Sequence, residues 1–256
     1  MKRQKIRYYT AYTDDFVETR QQDCKVPADY PWSPNPFLSA LVYGLAVVFS
    51  SVYLRLFLHV RYKNGKILRK GLKTGAFLYC NHTQPLGDVF LPALPVLPGR
   101  IYTVVSPANL GIPVIGKILP YLGALPIPDS ISGLKQFTAA MEQRLNRKRC
   151  ITIFPEAHVW EYYTGIRPFS ESAFKYPVKF RKPVYCMTVT YQKRRFGKRP
   201  AAVVYVDGPF TADEKASPKQ QALQLRDQVY NCMCSRSLNS NCDYIQYMPA
   251  VSSMKL

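Results

Sequence analysis

The chain has 256 residues, 47% of them hydrophobic, which excludes a disordered protein and suits one good-sized core rather than two. Its 35 basic residues against 16 acidic ones give a formal charge of +19, so an anionic partner is expected: nucleic acid, an anionic membrane surface, or an acidic substrate or carrier. Seven cysteines, several inside apolar runs (FLYC, CITIF, VYCMTV), read as reduced, buried thiols of a cytosol-facing protein. Cys232-Met233-Cys234 lacks the spacing of a zinc site, and no metal is expected.

Residues 1–35 form a polar, aromatic N-terminal segment with no secretory signal peptide, closing on the proline-rich PWSPNP. The composition then shifts: Phe37 to Leu54 holds 18 residues without a charge. That length is at the lower limit for crossing a bilayer. A basic stretch follows, with Arg61, Lys63, Lys66, Arg69, Lys70 and Lys73. An apolar helix beside basic residues is a membrane-interface pattern. Basic residues also precede the helix, so no clear charge asymmetry places its two flanks on opposite sides. Residues 36–60 are therefore expected to be a membrane-associating helix or hairpin in one leaflet, with both flanks in the cytoplasm. The alternative is a buried helix of a soluble fold.

From residue 61 to the end, short runs rich in Val, Ile, Tyr and Thr alternate with helical patterns. Ala76–Cys80, Ile101–Val105, Ile151–Phe154, Val184–Tyr191 and Ala201–Val206 read as strands. Asp129 or Ser130 is placed to cap a helix carrying Leu134, Phe137, Met141 and Leu145 on one face. Ser217-Pro218 opens another, with Ala222, Leu225, Val229 and Met233 along it. The expected fold class is α/β, with a central, mainly parallel sheet flanked by helices and an N-terminal membrane-associating element.

Two segments carry the chemistry. FLYCNHTQPLGDVF sets His82 just beyond a strand, where ligand sites of open α/β sheets gather, and sets Asp88 six positions later. On a helix that spacing leaves the side chains about 120° apart. They meet only if Pro85-Leu86-Gly87 turns the chain. A histidine suits a general base near neutral pH, and a carboxylate on its other ring nitrogen fixes the tautomer. The bland alternative is a capping Asp88 beside a hydrogen-bonded surface histidine. The second segment, Phe154-Pro155-Glu156-Ala157-His158, follows the strand CITIF.

An NH…D segment and an FPE segment some seventy residues apart resemble the glycerolipid acyltransferase family, whose best-known members acylate lysophosphatidic acid. The likeness covers roughly residues 60–210 and includes Gly123-Ala124-Leu125-Pro126-Ile127-Pro128-Asp129 and Lys182-Pro183-Val184. It implies that His82 deprotonates an acceptor hydroxyl, which attacks the thioester of acyl-CoA or acyl-carrier protein, with Asp88 orienting His82. No cofactor beyond that co-substrate is implied. Asn81, Thr83, Phe154, Pro155, Glu156, Ala157, His158 and Arg167 are the substrate-binding positions it suggests. The partners are an anionic membrane surface, the thioester donor and a lipid acceptor, with no nucleic acid.

The sequence departs from that family in three places. Five residues, not four, separate His82 from Asp88. The motif at Pro128-Asp129-Ser130 lacks an arginine, and FPEG-Thr-Arg is replaced by Phe154-Pro155-Glu156-Ala157-His158-Val159. Arg167 or Lys135 is the candidate substitute. A second reading follows from these gaps: a lipid-binding protein that keeps the fold and has lost turnover. A basic nucleic-acid-binding domain ranks behind both, because the charge is spread along the chain and not interleaved with aromatics on one face.

Overall fold

The chain begins with β1 (Lys5–Tyr9), followed by the long helix α1 (Pro36–Leu56). Then come β2 (Arg61–Lys63), α2 (Lys66–Gly71), β3 (Ala76–Cys80), α3 (Ala93–Val96), β4 (Ile101–Val105), α4 (Ile115–Leu122), β5 (Ala124–Pro126) and α5 (Ile131–Asn146). The last elements are β6 (Cys150–Ile153), α6 (Lys175–Phe180), β7 (Val184–Gln192), β8 (Ala201–Phe210), α7 (Pro218–Ser237) and β9 (Ile245–Pro249). This structure, a computed structural model, describes residues 5–17 and 23–250.

Seven strands form one sheet in the order β2-β8-β7-β3-β6-β4-β5. All neighbours run parallel except β7 and β8, which are antiparallel. β3 lies at the centre, and all five of its residues are buried. A strand covered on both faces reads as a continuous apolar run, as AFLYC does. Its side chains alternate between two cores. Ala76, Leu78 and Cys80 enter a layer that also holds Leu54 and Leu58, while Phe77 and Tyr79 enter the layer beneath α5 and α7.

The two long helices over that second layer form where their caps put them. The Ser130 side chain accepts from the Gly133 N–H and opens α5, and Ser217 and Gln220 make a reciprocal capping box at the start of α7. Ala222, Leu225, Val229 and Met233 are all buried, as their spacing requires. On α5 the expected stripe holds for Phe137, Met141 and Leu145, but Leu134 lies in the first turn and is exposed. Phe137 is wholly buried, against the rings of Trp32 and Tyr176. Phe137→Ala is expected to cost about 3–5 kcal/mol. The check is a lower denaturant midpoint at unchanged slope.

α1 turns its apolar surface outward. Only 17% of its most apolar window is buried, and Leu41, Leu45, Val48, Phe49, Val52 and Leu56 are exposed. The helix is long and apolar enough to cross a membrane. It is not the core helix of a soluble fold, because its mean burial is far too low. The aromatic N-terminal segment packs on the domain: Tyr30 donates to the Ala124 carbonyl and the Trp32 indole to Gln136. β1 pairs in parallel with β9, so the first and last described strands meet.

Candidate active site

β3, β6 and β7 run parallel, so their carboxyl ends lie side by side. The chain leaving β3 is pinned at once. The Asn81 amide donates to the Val189 carbonyl at 3.1 Å, and its oxygen accepts from the Val189 N–H at 2.8 Å. His82 then emerges with its side chain 18% exposed. Beyond it the segment curls back, the Asp88 N–H donating to the Gln84 carbonyl at 3.2 Å. Gly87 keeps that curl close to its neighbours: a Cβ there would stand 2.7 Å from Leu58 Cδ1 and 3.0 Å from Gln84 Cβ, and those side chains would have to shift.

The curl absorbs the fifth intervening residue. Asp88 Oδ2 accepts from the Thr83 N–H at 2.7 Å and the Gln84 N–H at 2.8 Å, and it lies 2.7 Å from His82 Nδ1. A carboxylate can only accept, so Nδ1 carries the proton, and in the neutral imidazole that leaves the lone pair on Nε2. The Phe154 ring stacks on the imidazole, centroids 4.5 Å apart.

The loop after β6 wraps the other side of His82. Glu156 Oε2 accepts the His82 backbone N–H at 3.1 Å and the Arg167 guanidinium at 3.1 Å, while Oε1 accepts the Arg167 N–H at 2.9 Å. Burial pushes the Glu156 carboxyl above its ordinary range, against the pull of Arg167 and of those N–H groups. Arg167 is 1% exposed; it also donates to the carbonyls of Tyr12 and His158, and its guanidinium lies 5.0 Å over the Trp160 ring. Trp160 and Tyr162 donate their N–H groups to the carbonyls of His82 and Thr83. Ala157 takes a left-handed backbone with φ of 64°, where the related motif has glycine. Ala157→Gly is expected to be neutral to mildly stabilising, by up to about 1 kcal/mol, read as a thermal midpoint.

The sequence-predicted residues thus divide. His82, Asp88, Phe154 and Glu156 converge. Asn81 and Thr83 are buried, and the Thr83 hydroxyl pairs with the Tyr191 hydroxyl at 2.7 Å. Arg167 is enclosed as well, its charge turned on Glu156. Pro155 is half-buried, and His158 stands on the rim with Nδ1 3.3 Å from Asp15. Tyr191, Trp160 and Tyr12 were not singled out from sequence, because nothing in a strand-end tyrosine or a loop aromatic distinguishes it.

Cys80 adjoins this site, but burial pushes its thiol well up, so it is a poor nucleophile. Cys80→Ala is expected to leave turnover within about three-fold, with activity after thiol-alkylating reagent unchanged relative to untreated protein. Among the described residues, Cys186, Asp207 and Cys232 bring donor atoms within 4.8 Å of one another. Arg236 engages both Asp207 oxygens, at 2.9 and 2.6 Å, which opposes a cation there.

A mainly parallel sheet with helices on both faces and an imidazole–carboxylate pair at its carboxyl edge has the form of an α/β enzyme. The chain belongs to the acyltransferase family: residues 59–192 match the Acyltransferase family model, and the protein is an acyltransferase. Its fold is similar to that of PlsC, the 1-acyl-sn-glycerophosphate (LPA) acyltransferase from Thermotoga maritima. The TM-score is 0.56, with 12% identity over 80% of this chain and 83% of that one. At that identity the likeness speaks for the fold. No curated protein sequence matches.

Proposed function

We propose that this acyltransferase moves a fatty acyl group from a thioester, acyl-CoA or acyl-carrier protein, to a hydroxyl of a lysophospholipid or related lipid acceptor. His82 Nε2 takes the hydroxyl proton as that oxygen attacks the thioester carbonyl. The tetrahedral intermediate then collapses, the C–S bond breaks, and the imidazolium returns the proton to the departing thiolate. Asp88 keeps Nδ1 protonated and steadies the imidazolium. The chemistry is electron-paired throughout and calls for no cofactor beyond the thioester. The observation that carries this reading is the 2.7 Å contact between His82 and Asp88 across a turn that also ties Asp88 to two backbone N–H groups. The test is mass-spectrometric detection of a two-chain lipid from a one-chain acceptor and either thioester. No product with any acceptor would contradict it.

One observation favours the competing reading, a lipid-binding protein without turnover. With Arg167 enclosed, neither family motif presents an arginine to an acceptor phosphate. Acceptor-dependent product separates the two.

The proposed setting is a membrane surface, with the catalytic domain on the cytoplasmic side. Both ends of α1 are tied to the same domain: Ser39 donates to the Tyr121 carbonyl, and the Leu58 carbonyl accepts from Ala202. A helix held at both ends suits lying in one leaflet better than crossing two. Between Asp29 and Asp129 the only acidic residue is Asp88, which is buried. The surface of that stretch is therefore apolar along α1 and cationic at Arg55, Arg61, Lys63, Lys66 and Lys70. The buried thiols of Cys80, Cys150 and Cys186 suit a reducing compartment. The protein is expected to float with anionic vesicles and less with zwitterionic ones, and the preference for anionic vesicles is expected to shrink as salt rises while the contribution of α1 persists. Val48→Asp with Phe49→Asp is expected to abolish flotation at any salt; unchanged flotation would remove α1 from the interface.

A further inference from the structure

Glu156 and Arg167 form the most deeply enclosed ion pair of the described residues. The Glu156 side chain is 0% exposed and that of Arg167 is 1%. Burying a carboxylate and a guanidinium is costly unless both are paired and their hydrogen-bonding capacity is met. Here Glu156 accepts three hydrogen bonds, one of them from the His82 backbone, and Arg167 donates to three carbonyl or carboxylate groups, its buried Nε alone lacking a partner. An expensive pair of this kind holds something in place.

What it holds is the backbone of His82, from two directions. Glu156 grips the His82 N–H directly. Arg167 lies over the Trp160 ring, and the Trp160 N–H donates to the His82 carbonyl at 3.1 Å. The N-terminal segment closes the bracket: the Tyr12 carbonyl accepts from Arg167, the Asp14 carbonyl accepts from the Trp160 indole at 2.8 Å, and Phe16 packs on the same ring. Those residues lie outside the family-matched span 59–192.

We infer that Glu156 and Arg167 are positioning residues for His82, completed by the N-terminal segment, and not ligands of the acceptor headgroup. The inference rests on the proposed role of His82 as base. The backbone of the base is fixed on both its N–H and its carbonyl, while Asp88 fixes its ring. A displacement of the base by about 1 Å can cost roughly 10²-fold in turnover, without loss of substrate affinity. The acceptor is then recognised elsewhere, and the absence of motif arginines is no bar to turnover.

The test compares wild type, Glu156→Gln, Arg167→Lys, Arg167→Met and the double variant Glu156→Gln/Arg167→Met. Steady-state kinetics are run in acceptor and in thioester, with thermal unfolding alongside. The expected result is a kcat loss of about 10- to 10²-fold in Arg167→Met, with acceptor KM changed by less than about three-fold. Glu156→Gln keeps an oxygen for the His82 N–H and is expected to lose less. The double variant is expected to be no worse than Arg167→Met, because both act through one route. A rise of ten-fold or more in acceptor KM at preserved kcat would make the pair a substrate ligand and overturn the inference. If Arg167→Met does not fold, Arg167→Lys carries the same comparison. The His82 backbone amide is also followed by NMR: it is expected to shift in both Arg167 variants, and an unmoved resonance would overturn the inference whether or not there is turnover. A wild type silent toward every acceptor, with the amide shift present, would instead sink the proposed reaction and leave the bracket standing.

Discussion

His82→Ala is expected to lower kcat for acyl transfer by about 10²- to 10⁴-fold, the range that a general base supplies. The loss should fall on kcat and kcat/KM together, since removal of Nε2 costs an interaction made only as the hydroxyl gives up its proton. The fold should survive. The imidazole is 18% exposed, its ring contacts are Asp88 and the face of Phe154, and the His82 backbone remains bonded to Glu156 and Trp160. The measurement is single-turnover kinetics beside a thermal melt. A melt unchanged within a few degrees at full residual activity would remove His82 from the chemistry.

The second large effect is expected at Asp88, where Asp88→Asn is more informative than Asp88→Ala. The introduced amide can still offer an oxygen to the N–H groups of Thr83 and Gln84, so the turn is retained. All three contacts of Asp88, including the one to His82 Nδ1, are made by Oδ2. The amide oxygen in that place still accepts from Nδ1, and the NH₂ takes the place of Oδ1. What the variant removes is the negative charge, so the imidazolium formed during proton transfer loses its counter-charge. The expected loss is about 10²- to 10⁴-fold in kcat, with near-native stability. Asp88→Ala should be equally inactive and less stable, because two buried N–H groups lose their acceptor, at about 1–3 kcal/mol each. If Asp88→Asn retained full activity, the carboxylate would be a turn cap and no more.

Much of the fold was legible because its signals are local. Ser130 and Ser217-Pro218 announce α5 and α7, and uninterrupted apolar runs announce β3, β4, β6 and β7. The four strands that were not anticipated are short or polar and depend on distant partners: β1 needs β9, with Lys5 opposite Ile245, and β2 needs β8. No period within KIRYY or RYK records that pairing. The site was legible in the same uneven way. The pair His82 and Asp88 could be named from motif order, but whether a five-residue gap lets them meet depended on how Gln84 to Gly87 turn. From sequence, Arg167 is one of two candidates, with Lys135, to stand in for the missing motif arginines at an acceptor phosphate. Its enclosure follows from Glu156 eleven positions earlier and from Tyr12 at the far end of the chain, and no local pattern links those three.

The measurement that tests the central claim most directly is release of free thiol from acyl-CoA and from acyl-carrier protein, over a panel of lysophospholipids and simpler alcohols. Wild type and His82→Ala are run in parallel. The account predicts thiol release by wild type that depends on a lipid acceptor and is lost with His82. Equal release by the two proteins, or none by wild type with any donor and acceptor, would contradict it.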